Sequence, residues 1–138
     1  MDEVVPFETA VLIQFAKSIN LIAIVGMNLP NLERAYIPSA KLYDYLLSAS
    51  HSVGKSKARF LNEFGFNESN VGLLKSGLLS IAYTEKVVEV VETPFGAKYI
   101  VDGSLLTPAG ITINIRTVWI IEKGENAPRF VTAHPRPK

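Results

Sequence analysis

The stretch "ASHSVGKSK", residues 49–57, combines a histidine, a glycine, two lysines and three serines within nine positions. Gly54, Lys55 and Ser56 match the second half of the phosphate-binding P-loop, G-x-x-x-x-G-K-[ST], but Ala49 stands where the first glycine belongs. A P-loop also follows a buried parallel strand, whereas the residues in front of this stretch have the spacing of an amphipathic helix. The stretch therefore does not predict a P-loop.

His51, Lys55 and Lys57 instead lie where a loop should enter a helix. The N-terminus of a helix carries partial positive charge, so lysines in its first turn are poorly placed unless an anion joins them. The alternative is that both long side chains extend into water at little cost. Both interpretations stay open at this point.

The amino-acid composition and the spacing of reactive residues exclude several kinds of catalytic and metal-binding site. There is no cysteine, which excludes disulfides, thiolate metal sites and a cysteine nucleophile. The two histidines are far apart in sequence and no carboxylates cluster near them, so neither a metal nor another cofactor is predicted. No serine has the G-x-S-x-G context of a hydrolase nucleophile, and no carboxylate pair stands out. What remains is a chemistry that needs a histidine, cations and hydroxyl groups.

Metal-independent cleavage of RNA is such a chemistry. The 2′-OH of RNA is the nucleophile, so the protein supplies a base, an acid, and cations or hydrogen-bond donors for the charged phosphate. A histidine suits proton transfer because its ordinary pKa lies near neutrality. The candidate catalytic residues are His51, Lys57, Arg116 and Thr132, and the candidate substrate-binding residues are Lys55, Thr117, Arg129 and His134. The spacing alone does not demand this, because core threonines and surface arginines are more common.

Apolar periodicity predicts three helices followed by four strands. The helices should cover residues 38–48, 55–64 and about 67–83, the second ending at Gly65 and the third capped by Asn67. The strands should be "EKVVEVVE", "AKYIVDGSLL", "ITINIRTVWII" and "RFVTAH". Helices followed by consecutive short strands predict an α+β fold: N-terminal helices and a four-stranded antiparallel meander, with helices covering one face.

Three details of the strands are specific enough to check. Asp102-Gly103 is typical of a turn inside the second strand segment. The third segment, residues 111–121, should be the longest strand, with Trp119 on its buried side. In the fourth, strict alternation places Phe130, Thr132 and His134 on one face.

At 138 residues the chain should form one domain over residues 29–138, preceded by an apolar extension over residues 1–28. Gln14, Lys17 and Asn20 interrupt the extension, so it does not predict a membrane anchor. A helix or strand packed on the domain, or a surface for a homodimer, explains it better. The absence of cysteine suits a reducing cytoplasm.

Three runs of sequence carry a resemblance to a known family: "IPSAKLYDYLLSASHSVGKSKARFLNEFGF", "FGAKYIVDGSLLTPAG" and "IRTVWIIEKGENAPRFVTAHP". Over about residues 29–135 the chain resembles a bacterial family of unknown function that occurs alone and at the ends of large polymorphic toxins. Domains of this shape are similar to the barnase, EndoU, colicin and RelE group of ribonucleases, whose antiparallel sheet holds the RNA. The matching polar positions are His51, Gly54, Lys57, Thr117, Trp119, Arg129 and Thr132, whereas similar sequences often have an aromatic residue at His134.

The resemblance implies a toxin-like, metal-independent endoribonuclease that a small antitoxin or immunity protein neutralises. Two other functions remain open. One is a non-enzymatic interaction module of a toxin–antitoxin or similar bacterial system, whose basic patch binds an acidic partner. The other is a domain that binds a small molecule or nucleotide without turnover.

Overall fold

The structure is a computed structural model that describes residues 24–43 and 55–136, with the side chains of Lys55 and Ser56 excepted. Most of the apolar extension lies outside the described residues, and so does His51. Residues 39–43 are helical, which agrees with the start of the first predicted helix; the rest of that prediction falls outside the described residues.

Two longer helices follow, α1 over Lys55–Glu63 and α2 over Val71–Thr84. Gly65 ends the first with a φ of 94°, a left-handed conformation that glycine adopts without a steric penalty. Asn67 begins a 3₁₀ turn, Glu68–Asn70, through a reciprocal capping box with Asn70, and α2 continues from it. Both predicted helices are confirmed. Within the described residues no helix has both the length and the apolar character needed to cross a membrane.

The four strands are β1 (Val87–Thr93), β2 (Gly96–Leu106), β3 (Thr112–Glu122) and β4 (Arg129–Pro135). They form one sheet in the order β1-β2-β3-β4, and every neighbouring pair is antiparallel. The prediction of an α+β fold with an antiparallel meander is confirmed. Each hairpin connection is short, so each strand lies beside the next one in the chain.

Helix α2 packs on one face of the sheet. Leu74, Leu78 and Ile81 of the helix are buried against Val101 and other inward-facing residues of the strands. The predicted turn at Asp102-Gly103 is wrong, because β2 runs straight through it. Gly103 has a packing role instead: a Cβ there would stand 2.9 Å from Ile81 Cγ1, so the absent side chain lets α2 lie directly on the strand.

Trp119 is fully buried on this helix-facing side, as the sequence predicts, and its ring meets that of Phe130 edge to face. The indole Nε1 donates a hydrogen bond to Thr117 Oγ1 at 2.8 Å. That hydroxyl in turn donates to the carbonyl of Val101 at 2.6 Å. The chain of two bonds satisfies every polar atom that these buried side chains bring into the core.

A β-bulge in β4 corrects the predicted faces of that strand. Thr132 lies opposite Val118, but Phe130 lies opposite Trp119, so Val131 is an extra residue between them. Phe130 therefore points toward the helices. Thr132 turns to the other face, and so does His134 two residues later. Strict alternation cannot describe the strand because the extra residue reverses it.

We expect Gly103→Ala to destabilise the fold by about 1–3 kcal/mol, the usual cost of forcing atoms into a packed core. The β-branched side chain of Ile81, which lies against Gly103, has little rotamer freedom with which to move aside. The measurement is the free energy of unfolding in urea. Gly72→Ala in α2 is the matched control, because open space surrounds that position and alanine favours a helix. Equal stability of the two variants would contradict the packing described here.

Candidate functional site

The sheet face turned away from α2, here called the outer face, carries a polar row across three strands. Asp102 of β2 lies opposite Arg116 of β3, which lies opposite His134 of β4. Directly opposed residues of antiparallel strands project from the same face, so the three side chains are neighbours. This row is the centre of the candidate site.

Asp102 is held by two arginines. Arg116 donates through Nε to Oδ1 at 2.8 Å and through Nη2 to Oδ2 at 2.9 Å, the bidentate geometry that suits a guanidinium and a carboxylate. Arg136, just beyond β4, places its Nε 3.1 Å from Oδ2. The carboxylate is 6% exposed, whereas the side chains of Arg116 and Arg136 are 34% and 52% exposed. The anion is thus inside and the cations face the solvent.

The ionisation of Asp102 follows from these contacts. The hydrogen bonds from Arg116 lower the pKa of Asp102 below its ordinary value, although burial of the carboxyl acts in the opposite direction. The positive charges of Arg116, Arg136 and His134 lower the same pKa further. Asp102 is therefore a carboxylate at neutral pH.

Helix α1 brings a further cation to the same face. Lys57, in the first turn of α1, donates through Nζ to the hydroxyl oxygen of Thr132. Thr132 is two residues from His134 on the same side of β4, so this contact joins the start of α1 to the polar row. We call the resulting set the polar cluster; it consists of Lys57, Asp102, Arg116, Thr132, His134 and Arg136.

His134 has the protonation behaviour of a base. Partial burial lowers the pKa of its imidazole, and the positive charges of Lys57 and Arg116 lower it further, against the opposing charge of Asp102. The ring is therefore largely neutral at neutral pH. A neutral imidazole among cations accepts a proton while its surroundings attract an anion.

Four of the eight predicted site residues come together in the polar cluster: Lys57, Arg116, Thr132 and His134. Arg129 does not join them. It pairs with Glu122 beside Tyr36, and its strand partner Ile120 is four residues from Arg116, which is about 13 Å along β3.

Of the other three predicted residues, one lies on the opposite face of the sheet and two lie outside the description that the structure gives. Thr117 is fully buried on the helix-facing side, where its hydroxyl bonds Val101 and Trp119, so no substrate reaches it in this conformation. His51 and the side chain of Lys55 lie outside the described residues. Their assigned roles remain predictions.

Sequence reasoning missed Asp102 and Arg136. Asp102 was hidden by the turn interpretation of Asp102-Gly103. The hairpin loop Thr107–Ile111 could have identified it. If the residues on either side of this loop are paired, the register of the hairpin places Asp102 opposite Arg116. Across the described ranges, no group of three or more histidine, cysteine, aspartate or glutamate side chains is arranged to hold a metal ion.

The fold and the outer face define a small α+β domain with a cation-rich cluster on one side of an antiparallel sheet. The chain belongs to the family described as a domain of unknown function, DUF6883, whose model matches residues 28–137. The fold is also similar to a chain of the contact-dependent growth inhibition toxin–immunity protein complex from Klebsiella pneumoniae 342. That similarity has a TM-score of 0.60 at 16% identity and covers 78% of this chain and 97% of the other. No curated protein matches the sequence.

We expect Lys57→Met to raise the pKa of His134, because the substitution removes a positive charge that disfavours the protonated ring. The measurement is an NMR pH titration of the imidazole, assigned with His134→Gln. Lys75→Met is the matched control: it removes the same charge from α2 and should leave the pKa unchanged. An unchanged pKa in Lys57→Met would contradict the electrostatic contact between α1 and β4.

Proposed function

We propose that this protein is a toxin-like endoribonuclease that cleaves RNA without a metal ion. The observation that carries the proposal is the convergence of Lys57, Arg116, Thr132 and a largely neutral His134 on one sheet face. Each supplies something that RNA cleavage needs: positive charge, a hydroxyl donor and a proton acceptor.

In the proposed reaction the imidazole of His134 takes the proton of the 2′-OH, and the 2′-oxygen attacks the adjacent phosphorus. The bond to the 5′-oxygen breaks, which leaves a 2′,3′-cyclic phosphate and a free 5′-hydroxyl. Lys57 and Arg116 stabilise the negative charge of the pentavalent phosphate, and Lys57 orients the Thr132 hydroxyl toward it. The 5′-oxygen needs a proton as it departs, and His51 is the residue proposed to donate it.

The neutral state of His134 is the reason for giving it the role of base. A base must be unprotonated before the reaction, and partial burial of the imidazole, together with the nearby cations, keeps His134 neutral at neutral pH. The same cations attract the phosphate. Activity should therefore rise with pH through the lowered pKa of His134, because the protonated ring cannot accept a proton.

The proposed biological setting is a bacterial toxin system. One chain of a contact-dependent growth inhibition toxin–immunity protein complex shares this fold over most of both lengths. This supports a toxin-like role and a small immunity protein or antitoxin as partner. We propose the cytoplasm as the place of action. An acidic partner surface would suit the polar cluster, because its arginines face the solvent.

The second candidate is a non-enzymatic interaction module of such a system. The complex that shares the fold contains a toxin and an immunity protein, so the same architecture is compatible with either role. The exposed arginines also suit binding without turnover. A test for RNA cleavage distinguishes the two candidate functions. Only the enzyme needs a neutral histidine, because the histidine is its base.

We expect the purified protein to cleave single-stranded RNA in excess chelator and to spare a substrate with a 2′-deoxy sugar at the cut site. Replacing His134 by alanine should lower the rate of the chemical step about 10²–10⁴-fold, the usual contribution of a general base. Cleavage should also weaken as salt rises, because counterions compete with the lysine and arginines. The measurement is a single-turnover assay on a labelled oligonucleotide.

Glu125→Gln is the control for this assay, because Glu125 lies in the exposed β3–β4 connection, away from the polar cluster. It should cleave as the parent does. Growth arrest on expression of the parent, and its relief in His134→Ala, would support the toxin-like role. Chelator-sensitive cleavage, or full activity of His134→Ala, would refute the proposed mechanism. A parent that binds a protein partner but cleaves no RNA would favour the interaction module.

A further inference from the structure

The carboxylate of Asp102 occupies an unusual position for a surface row. It is 6% exposed, and both of its oxygens are engaged by guanidinium groups. Arg116 and Arg136 come from different parts of the chain, one from the middle of β3 and the other from the residue after β4. Without an anion between them, the positive charges of the two guanidinium groups would repel each other.

We propose that Asp102 is the positioning residue of the site: it holds Arg116 and Arg136 as a pair of guanidinium groups directed at one phosphate of the substrate. This inference rests on the proposed function. It assigns Asp102 no contact with the substrate, and it gives Arg136 a phosphate contact that the sequence did not predict.

The geometry of the pairs supports this role. Arg116 uses Nε and Nη2 on Asp102, which fixes the plane of its guanidinium and leaves the Nη1 edge directed away from the carboxylate. Arg136 reaches Asp102 through Nε at 3.1 Å, and its side chain is about half exposed. A guanidinium whose plane is fixed loses less conformational entropy when it binds an oxyanion.

The exposed fractions of the three side chains also support this role of Asp102. The carboxylate is buried, whereas Arg116 is about one-third exposed and Arg136 about one-half exposed. A phosphate approaching the outer face therefore meets two cations before it meets the anion. Asp102 orients the arginines and cancels part of their mutual repulsion without presenting its own charge to the substrate.

Asp102 also acts on His134, its neighbour across the row. The charged groups that bear on the imidazole are Lys57 from α1, Arg116 from β3 and Asp102 from β2; of these, Asp102 favours the protonated ring. Removing the negative charge of Asp102 should therefore lower the pKa of His134 further. The pKa of His134 therefore reports the charge of Asp102 itself, whereas KM for the RNA reports the placement of the two arginines.

The test is Asp102→Asn, which has nearly the same shape and lacks the charge. We expect the pKa of His134 to fall in an NMR titration. For the RNA oligonucleotide we expect KM to rise and kcat/KM to drop about 10–100-fold, by analogy with the loss on removing a group that orients a metal ligand. Glu122→Gln is the matched control, since it breaks an arginine–carboxylate pair at the far end of the same sheet and should change none of these three quantities.

Arg136→Gln gives a second test that keeps the Asp102 carboxylate and its bidentate pair with Arg116, so it applies even if Asp102→Asn fails to fold. Losing one phosphate contact should raise KM with little change in kcat, and the slope of log binding constant against log salt should fall by about 0.7. If the parent cleaves RNA while Arg136→Gln keeps its KM and salt slope, the inference is wrong and the proposed function stands. The same holds if a folded Asp102→Asn keeps the KM of the parent. A parent that cleaves no RNA overturns the proposed function, and the role of Asp102 with it.

Discussion

One extra residue in β4 determines what the outer face can present. Phe130 must point inward, because it completes the core against Trp119. In a regular strand, Thr132 and His134 would then point inward as well. The bulge at Val131 reverses the alternation, so the same strand supplies an aromatic ring to the core and two polar side chains to the opposite face. The position of the polar cluster depends on this single irregularity.

The rest of the arrangement follows from how the two faces are filled. Helix α2 lies against β2 because Gly103 has no side chain that would separate them. The face of the sheet that α2 covers therefore forms the core. The hydroxyl of Thr117 belongs to that core, where it satisfies the indole of Trp119. On the outer face, ion pairs and a lysine hydrogen bond hold the polar side chains in place. Asp102 lies deepest, the arginines lie above it, and Lys57 reaches Thr132 from α1. Partial burial of the His134 imidazole and the positive charges near it together account for a neutral histidine on a positively charged surface.

The sequence predicts the elements better than the site. Apolar spacing identifies α1, α2 and all four strands, because each element buries one regular stripe or face. A bulge has no such signature in the sequence. Nothing about the type of residue at Val131 distinguishes an extra residue from a regularly paired one. The Asp102-Gly103 pair misleads for a related reason, since a glycine required by helix packing looks like a glycine required by a turn. Thr117 and Thr132 are indistinguishable in the sequence, although one is buried and the other lies beside Lys57.

The central claim is that the polar cluster binds the phosphate backbone of RNA. An NMR titration with an oligonucleotide that carries a 2′-deoxy sugar at the cut site tests it directly, because binding is observed without cleavage. The largest chemical-shift changes should fall on Arg116, Thr132 and His134, and they should vanish at high salt. A response centred on the groove between α2 and the end of β2, near Leu73 and Leu106, would contradict the claim, as would no response at all.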